Sequence, residues 1–205
     1  STGSVGGNSI AIIGDEIVEL DESFDINLPA DGAGGTNLAG MAASITLTTP
    51  AAVEITNDDS ATISITTAAS LLETDAATTH AFTVDSDADI QTIDGSTGLT
   101  NNFAIGVATS DDTATSVGSF TGASDFTAAT FTLSGWDGNS TGSVGGNSIA
   151  IIGDEIVELD ESFDINLPAD GAGGTNLAGM AASITLTTPA AVEITNDDSA
   201  TISIT

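Results

Sequence analysis

The first 66 residues, Ser1 to Thr66, recur without a single change at 140–205, an offset of 139 residues. No other feature constrains the fold as much, because the folded unit must tolerate a copy of itself joined end to end. A period of 139 residues is too long for one coil of a solenoid and suits a whole domain in a row of domains. Asn-Asp-Asp-Ser stands at 57–60 and again at 196–199, so one complete period runs from 60 to 198. Residues 1–59 then read as the C-terminal half of a preceding repeat, and residues 199–205 as the opening strand of a following one.

Charge narrows the chemistry. The chain carries 30 Asp and Glu, no Lys or Arg, and a formal net charge of −30. With 40% apolar residues and a mean hydropathy of +0.24, it can nonetheless bury a core and does not read as disordered. No Lys or Arg is present to pair with an acid, so clustered carboxylates must be spread apart, screened, or neutralised by a cation from solution. Nucleic acid and anionic membrane surfaces are repelled and are not expected partners. No apolar run in this segment approaches the roughly 20 residues that a membrane-spanning helix needs. Cysteine is absent, so disulfides contribute nothing.

Alternating segments between Gly, Asp, Asn and Thr clusters predict strands. They lie at 61–66, 80–85, 102–107, 130–133, 148–152, 162–167, 183–187 and 191–195. Alternation places one face in the core and one in water, and Thr, Val, Ile and Phe favour it. Seven or eight such strands in one period predict an all-β antiparallel sandwich. Pro189 lacks an N–H for a ladder and marks a bulge or edge crossing in the last strand. The Gly-rich stretch 135–147 reads as a loop carrying Trp136, either an anchor packed on the end of the sandwich or an exposed contact.

Acids gather at strand ends. In the complete unit they are Glu73, Asp125, the run Asp154, Glu155 and Glu158 with Asp160 and Glu161 beyond, and Asp197–Asp198. Calcium takes six to eight hard oxygens from carboxylates and carbonyls on flexible loops, and such a set could supply them. Solvated turn acids are the alternative, since Asp and Asn favour turns anyway.

Several of these stretches, taken in order, resemble Calx-beta domains. The signature lies in Ile151-Ile152-Gly153-Asp154-Glu155-Ile156-Val157-Glu158-Leu159-Asp160-Glu161-Ser162-Phe163, with Val192 to Asp198 as the closing run. Asp125-Phe126 and the opening strand 61–65 with Glu73 complete the resemblance, which spans essentially all of 60–198. It implies tandem immunoglobulin-like antiparallel β-sandwiches with calcium held at one end. The implied ligands are Glu73, Asp125, Asp154, Glu158, Asp197 and Asp198, with Asp15, Glu19, Asp58 and Asp59 at matching positions of the preceding half-unit. Gly153 and Gly14 replace the first Asp of the family's pair, Asn196 and Asn57 replace the first closing acid, and Leu159 stands where Gly is usual. Two missing carboxylates imply fewer or weaker ions.

Catalysis has little to stand on. His80 is the single histidine and shares its strand face with Phe82 and Val84, so a satisfied core histidine is expected. No Gly-x-Ser-x-Gly elbow and no phosphate-binding loop is present. The chain is therefore expected to be no enzyme but a structural repeat of a long extracellular fibre or cell-surface adhesin stalk, stiffened by calcium. Its partners would be adjacent repeats and neighbouring copies in a filament. The alternative is a multivalent adhesin domain that binds glycan, ice or a partner cell, although only 4% of residues are aromatic. Residues 1–59 lack the front strands of their unit, so the sequence is expected to continue upstream rather than borrow strands from another chain.

Overall fold

A computed structural model describes residues 6–7, 9–48, 52–91, 103–117, 124–133, 142–187 and 191–204 of the chain. The strands are β1 (Ile17–Val18), β2 (Glu22–Phe24), β3 (Val53–Ile55), β4 (Ala61–Thr67), β5 (Ser70–Leu72), β6 (Thr78–Ser86) and β7 (Asp89–Ile90). There follow β8 (Ile105–Asp111), β9 (Thr130–Leu133), β10 (Gly142–Ile151), β11 (Glu161–Asn166), β12 (Ile184–Leu186) and β13 (Ala191–Thr195). Trp136 and Pro189 lie outside the described residues.

The complete unit is a sandwich of two sheets. One has the order β10-β6-β4-β12 and the other β5-β13-β11-β8-β9. Alternation determines which side of each strand is dry. In β6, His80, Phe82, Val84 and Ser86 are buried while Thr79 and Ala81 are exposed, and β11 buries Phe163 and Ile165. Ile63, Ile105, Val107, Ile149, Ile151, Val192 and Ile194 complete the core between the sheets. Phe126 stacks on Phe163 with ring centroids 4.7 Å apart and planes 24° apart.

Most neighbours are antiparallel, as alternation with short connections predicts. The first and last strands are the exception. The opening segment splits between the sheets as β4 and β5, and the closing segment splits as β12 and β13. β12 runs parallel to β4 and β13 parallel to β5. The closing segment thus changes sheets between β12 and β13.

One expectation is corrected. The latter part of the Gly-rich stretch is strand rather than loop, because β10 begins at Gly142 and pairs with β6. A register shift between Val144 and Asn147 absorbs the irregularity, as a bulge does when glycine loosens a ladder. Hydrogen bonding from the long β6 edge outweighs the entropic cost of ordering glycine there.

The preceding half-unit forms much less. Among its described residues the only strands are β1 and the antiparallel pair β2–β3, and β1 pairs with β7 of the complete unit. Residues 199–204 form no strand.

Candidate metal centre

The acids arrive on four separate segments of the chain. Glu73 follows β5, where its N–H donates to the Thr195 carbonyl at 2.9 Å and its side chain is buried. Asp125 precedes Phe126, whose ring is locked in the core, so the carboxylate is carried to the rim of the sandwich. The Asp125 side chain is buried and accepts from the Thr115 N–H at 2.5 Å and from the Thr115 hydroxyl at 3.3 Å. The loop between β10 and β11 brings Asp154 and Glu158. Asp154 accepts from the Ile156 N–H at 2.6 Å, an Asx turn that shapes the loop. Beyond β13, Asn196 bridges the next turn. Its amide donates to the Asp198 carbonyl at 3.1 Å and accepts from the Asp198 N–H at 3.3 Å. A carboxylate at 196 could not make the first of these bonds, which accounts for Asn in that place.

Burial and neighbouring like charges raise several of these carboxyls. Glu73 is pushed up to about 7, first by burial and then by the charges of Glu158, Asp154, Asp125 and Asp198. Glu158 is raised by burial, then by Asp125, Asp154 and Asp198. Asp198 is raised as well, by loss of solvation and by Asp197, Asp75 and Asp154. All six acids expected in this unit thus lie at one end of the sandwich.

Two further acids join them. Asp75, Asp197 and Asp198 each offer an oxygen within 4.8 Å of the others. Glu161, at the start of β11, hydrogen-bonds Asp125 and is pushed up to about 7 by burial and that neighbour. Asp75 could have been found from its place two residues after Glu73 on the same strand exit. Glu161 stands in the sequence within the run of strand-end acids, but its contact with Asp125 depends on how the sheets pack.

The donor set fits a hard divalent cation. Every side-chain donor is a carboxylate oxygen, and the Oδ2 atom of Asp198 is buried with no hydrogen-bond partner among the described residues. A buried anionic oxygen without a donor is costly unless something positive reaches it. Gly153 is a steric necessity, since a Cβ there would fall on the Thr74 carbonyl oxygen. The acid that the resemblance places at 153 therefore has no room.

The preceding half-unit assembles only part of this set. Glu19 is raised by burial, then by Glu22, Asp15 and Asp59, and Asp59 is raised by Asp58, Asp15 and Glu16 after loss of solvation. Asp15, Glu19, Asp58 and Asp59 therefore draw near one another. Counterparts of Glu73 and Asp125 would come from the front half of that unit and are not in this sequence.

His80 is structural. It is buried, its Nε2 lies 2.6 Å from the Thr67 hydroxyl, and its ring meets Phe163 edge-on at 6.2 Å. Burial holds the imidazole below its ordinary pKa.

No protein-family model and no curated protein matches the chain. Among solved structures, a crystal structure of calcium binding domain CBD12 of CALX1.1 aligns with a TM-score of 0.38 at 21% identity, covering 63% of this chain and 42% of that one. So loose a superposition leaves the fold to be read from the strand pairing itself: an all-β sandwich with carboxylates converging at one end.

Proposed function

We propose that the chain is a segment of a tandem array of Calx-beta-like modules, each holding calcium among Glu73, Asp125, Asp154, Glu158, Asp197 and Asp198 or their counterparts, with Asp75 and Glu161 beside them. The array serves as a spacer in an extracellular or cell-surface fibre. The role is mechanical rather than catalytic.

The observation that carries the metal reading is the buried Asp198 Oδ2, without a hydrogen-bond partner among the described residues, beside Asp75 and Asp197 in a chain with no Lys or Arg to neutralise them. Exact repetition supports the spacer reading, because copying a whole sandwich adds length without adding a new surface. An extracellular setting suits a site short of two family carboxylates, since millimolar calcium fills sites with Kd values of roughly 10⁻⁴–10⁻³ M.

Calcium titration of the metal-stripped chain tests the site. At 100 times its Kd, a ligand binding only the folded state stabilises it by about 2.7 kcal/mol. The thermal midpoint should rise with calcium, and Asp198→Asn should abolish most of that rise. A midpoint that responds equally to calcium and to sodium chloride of matched ionic strength would mean screening alone and would sink the metal assignment.

A further inference from the structure

Ile17 and Val18 meet a different fate from their copies. Val18 is 0% exposed, whereas Val157, in an identical sequence, is 49% exposed. The difference is a neighbour. β1 lies parallel to β7 of the next unit, pairing Ile17 with Asp89 and Val18 with Ile90. The Gln91 N–H donates to the Val18 carbonyl at 2.9 Å, and Ile90 is 0% exposed beneath it.

The receiving edge is built by the complete unit alone. Asp87 accepts from the Thr62 N–H at 2.6 Å, and Ser86 donates to the Ala88 carbonyl at 2.8 Å, fixing the turn that presents β7. Other contacts follow the same seam. The Asn57 amide donates to the Ser183 hydroxyl at 3.1 Å. Leu20, which reaches toward Gly179, is 42% exposed against 84% for its copy Leu159.

We infer that this short parallel β-pairing is the standing joint of the array, and that Ile156–Val157 dock onto the β7 edge of one further copy of the repeat. The inference rests on the tandem-array reading above. The occupant is specified by sequence identity, because the donor loop and the receiving edge that meet at β1–β7 are both parts of the repeating unit. The donor loop also carries Asp154 and Glu158, so a single loop serves the metal centre and the joint. A cleft of about 640 Å³ beside the seam is lined by Glu16, Asp58, Asp59, Asp87 and Asp89, so like charges oppose closure and the joint should loosen at low ionic strength.

Thiol labelling tests this, as the chain has no cysteine of its own. V18C and V157C are made separately in the 205-residue chain and in the same chain extended by a second copy of residues 67–205. In the 205-residue chain V18C should label at least about tenfold more slowly than V157C, since access requires local opening. In the extended chain V157C should slow to the rate of V18C. Equal rates for the two thiols in the 205-residue chain, or an unchanged V157C rate after extension, would overturn the joint. Labelling with and without calcium separates the two readings. Protection at 157 with no calcium effect on the thermal midpoint keeps the joint and sinks the metal site, and the reverse result sinks the joint alone.

Discussion

Residues 1–59 and 140–198 are the same sequence in two environments. Ile149 and Ile151 are fully buried in β10, while their copies Ile10 and Ile12 are 55% and 53% exposed and lie in no strand. Met180 is buried and Met41 exposed. Yet the connection 168–180 is built alike in both copies. Asp170 accepts from the Leu177 N–H at 2.8 Å and Asp31 from the Leu38 N–H at 2.7 Å. Asn176 caps the Ala178 N–H at 2.9 Å, and Asn37 caps the Ala39 N–H at 2.8 Å. Ala178 and Ala39 both take the left-handed conformation, with φ of 53° and 50°. Turns closed by bonds within a few residues form wherever the sequence occurs. Strands form only where a neighbouring strand supplies the other half of the ladder.

Substituting matched residues in the two copies should expose this contrast. The largest gap is expected at phenylalanine. Phe163→Ala removes a ring buried against Phe126 and His80 and should cost about 3–5 kcal/mol in denaturant unfolding. Phe24→Ala, on a two-stranded antiparallel pair, should cost under about 1 kcal/mol. Similar losses at both positions would mean that the half-unit has a core of its own.

A smaller gap is expected at glycine. Gly153→Ala drives a methyl into the Thr74 carbonyl and should cost about 1–3 kcal/mol. Among the described residues nothing lies within 4 Å of a Cβ at Gly14, so Gly14→Ala should stay within about 0.5 kcal/mol.

The smallest expected effect is on pH dependence. In the fold, Glu73 and Glu161 keep their protons up to about 7, against an ordinary value of 4.5. Between those limits the folded chain binds more protons than the unfolded one. Metal-free stability is therefore fullest near pH 4.5 and declines as pH rises toward 7. The thermal midpoint without metal should fall by a few degrees over that window, and Glu73→Gln should flatten the fall. Glu19 in the half-unit is raised as well, so Glu19→Gln should flatten the fall in the same direction but to a smaller extent. Stability that rises over the same window would contradict the carboxylate packing described here.

The legible parts of the sequence follow the same division. Thr130–Leu133 and Ala191–Thr195 form strands at the residues that alternation picks out. Ser70–Leu72 and Asp89–Ile90 escape that reading, because each is a short run whose pairing is decided by a distant partner. At the candidate metal centre, position near the strand ends singles out Glu73, Asp125 and the Asp154–Glu158 loop in the sequence. Glu161 stands in the same acid run beyond Glu158, but its contact with Asp125 follows only from the packing of β11. Ser60–Thr66 and Ser199–Thr205 make the limit plain. The first copy contains most of β4 and buries Ile63, while in the second Ile202 is 94% exposed and Ile204 fully exposed.

The parallel placement of the opening and closing strands has a mechanical consequence. Where β12 lies along β4 and β13 along β5, the backbone comes into the sandwich at one end and leaves it at the other. Tension applied through successive units then pulls these ladders lengthwise and loads their hydrogen bonds together in shear, instead of peeling them apart one by one. The β1–β7 seam, with only two residue pairs, is the part that yields first, so a stretched row of such units would lengthen at its joints before any sandwich opens.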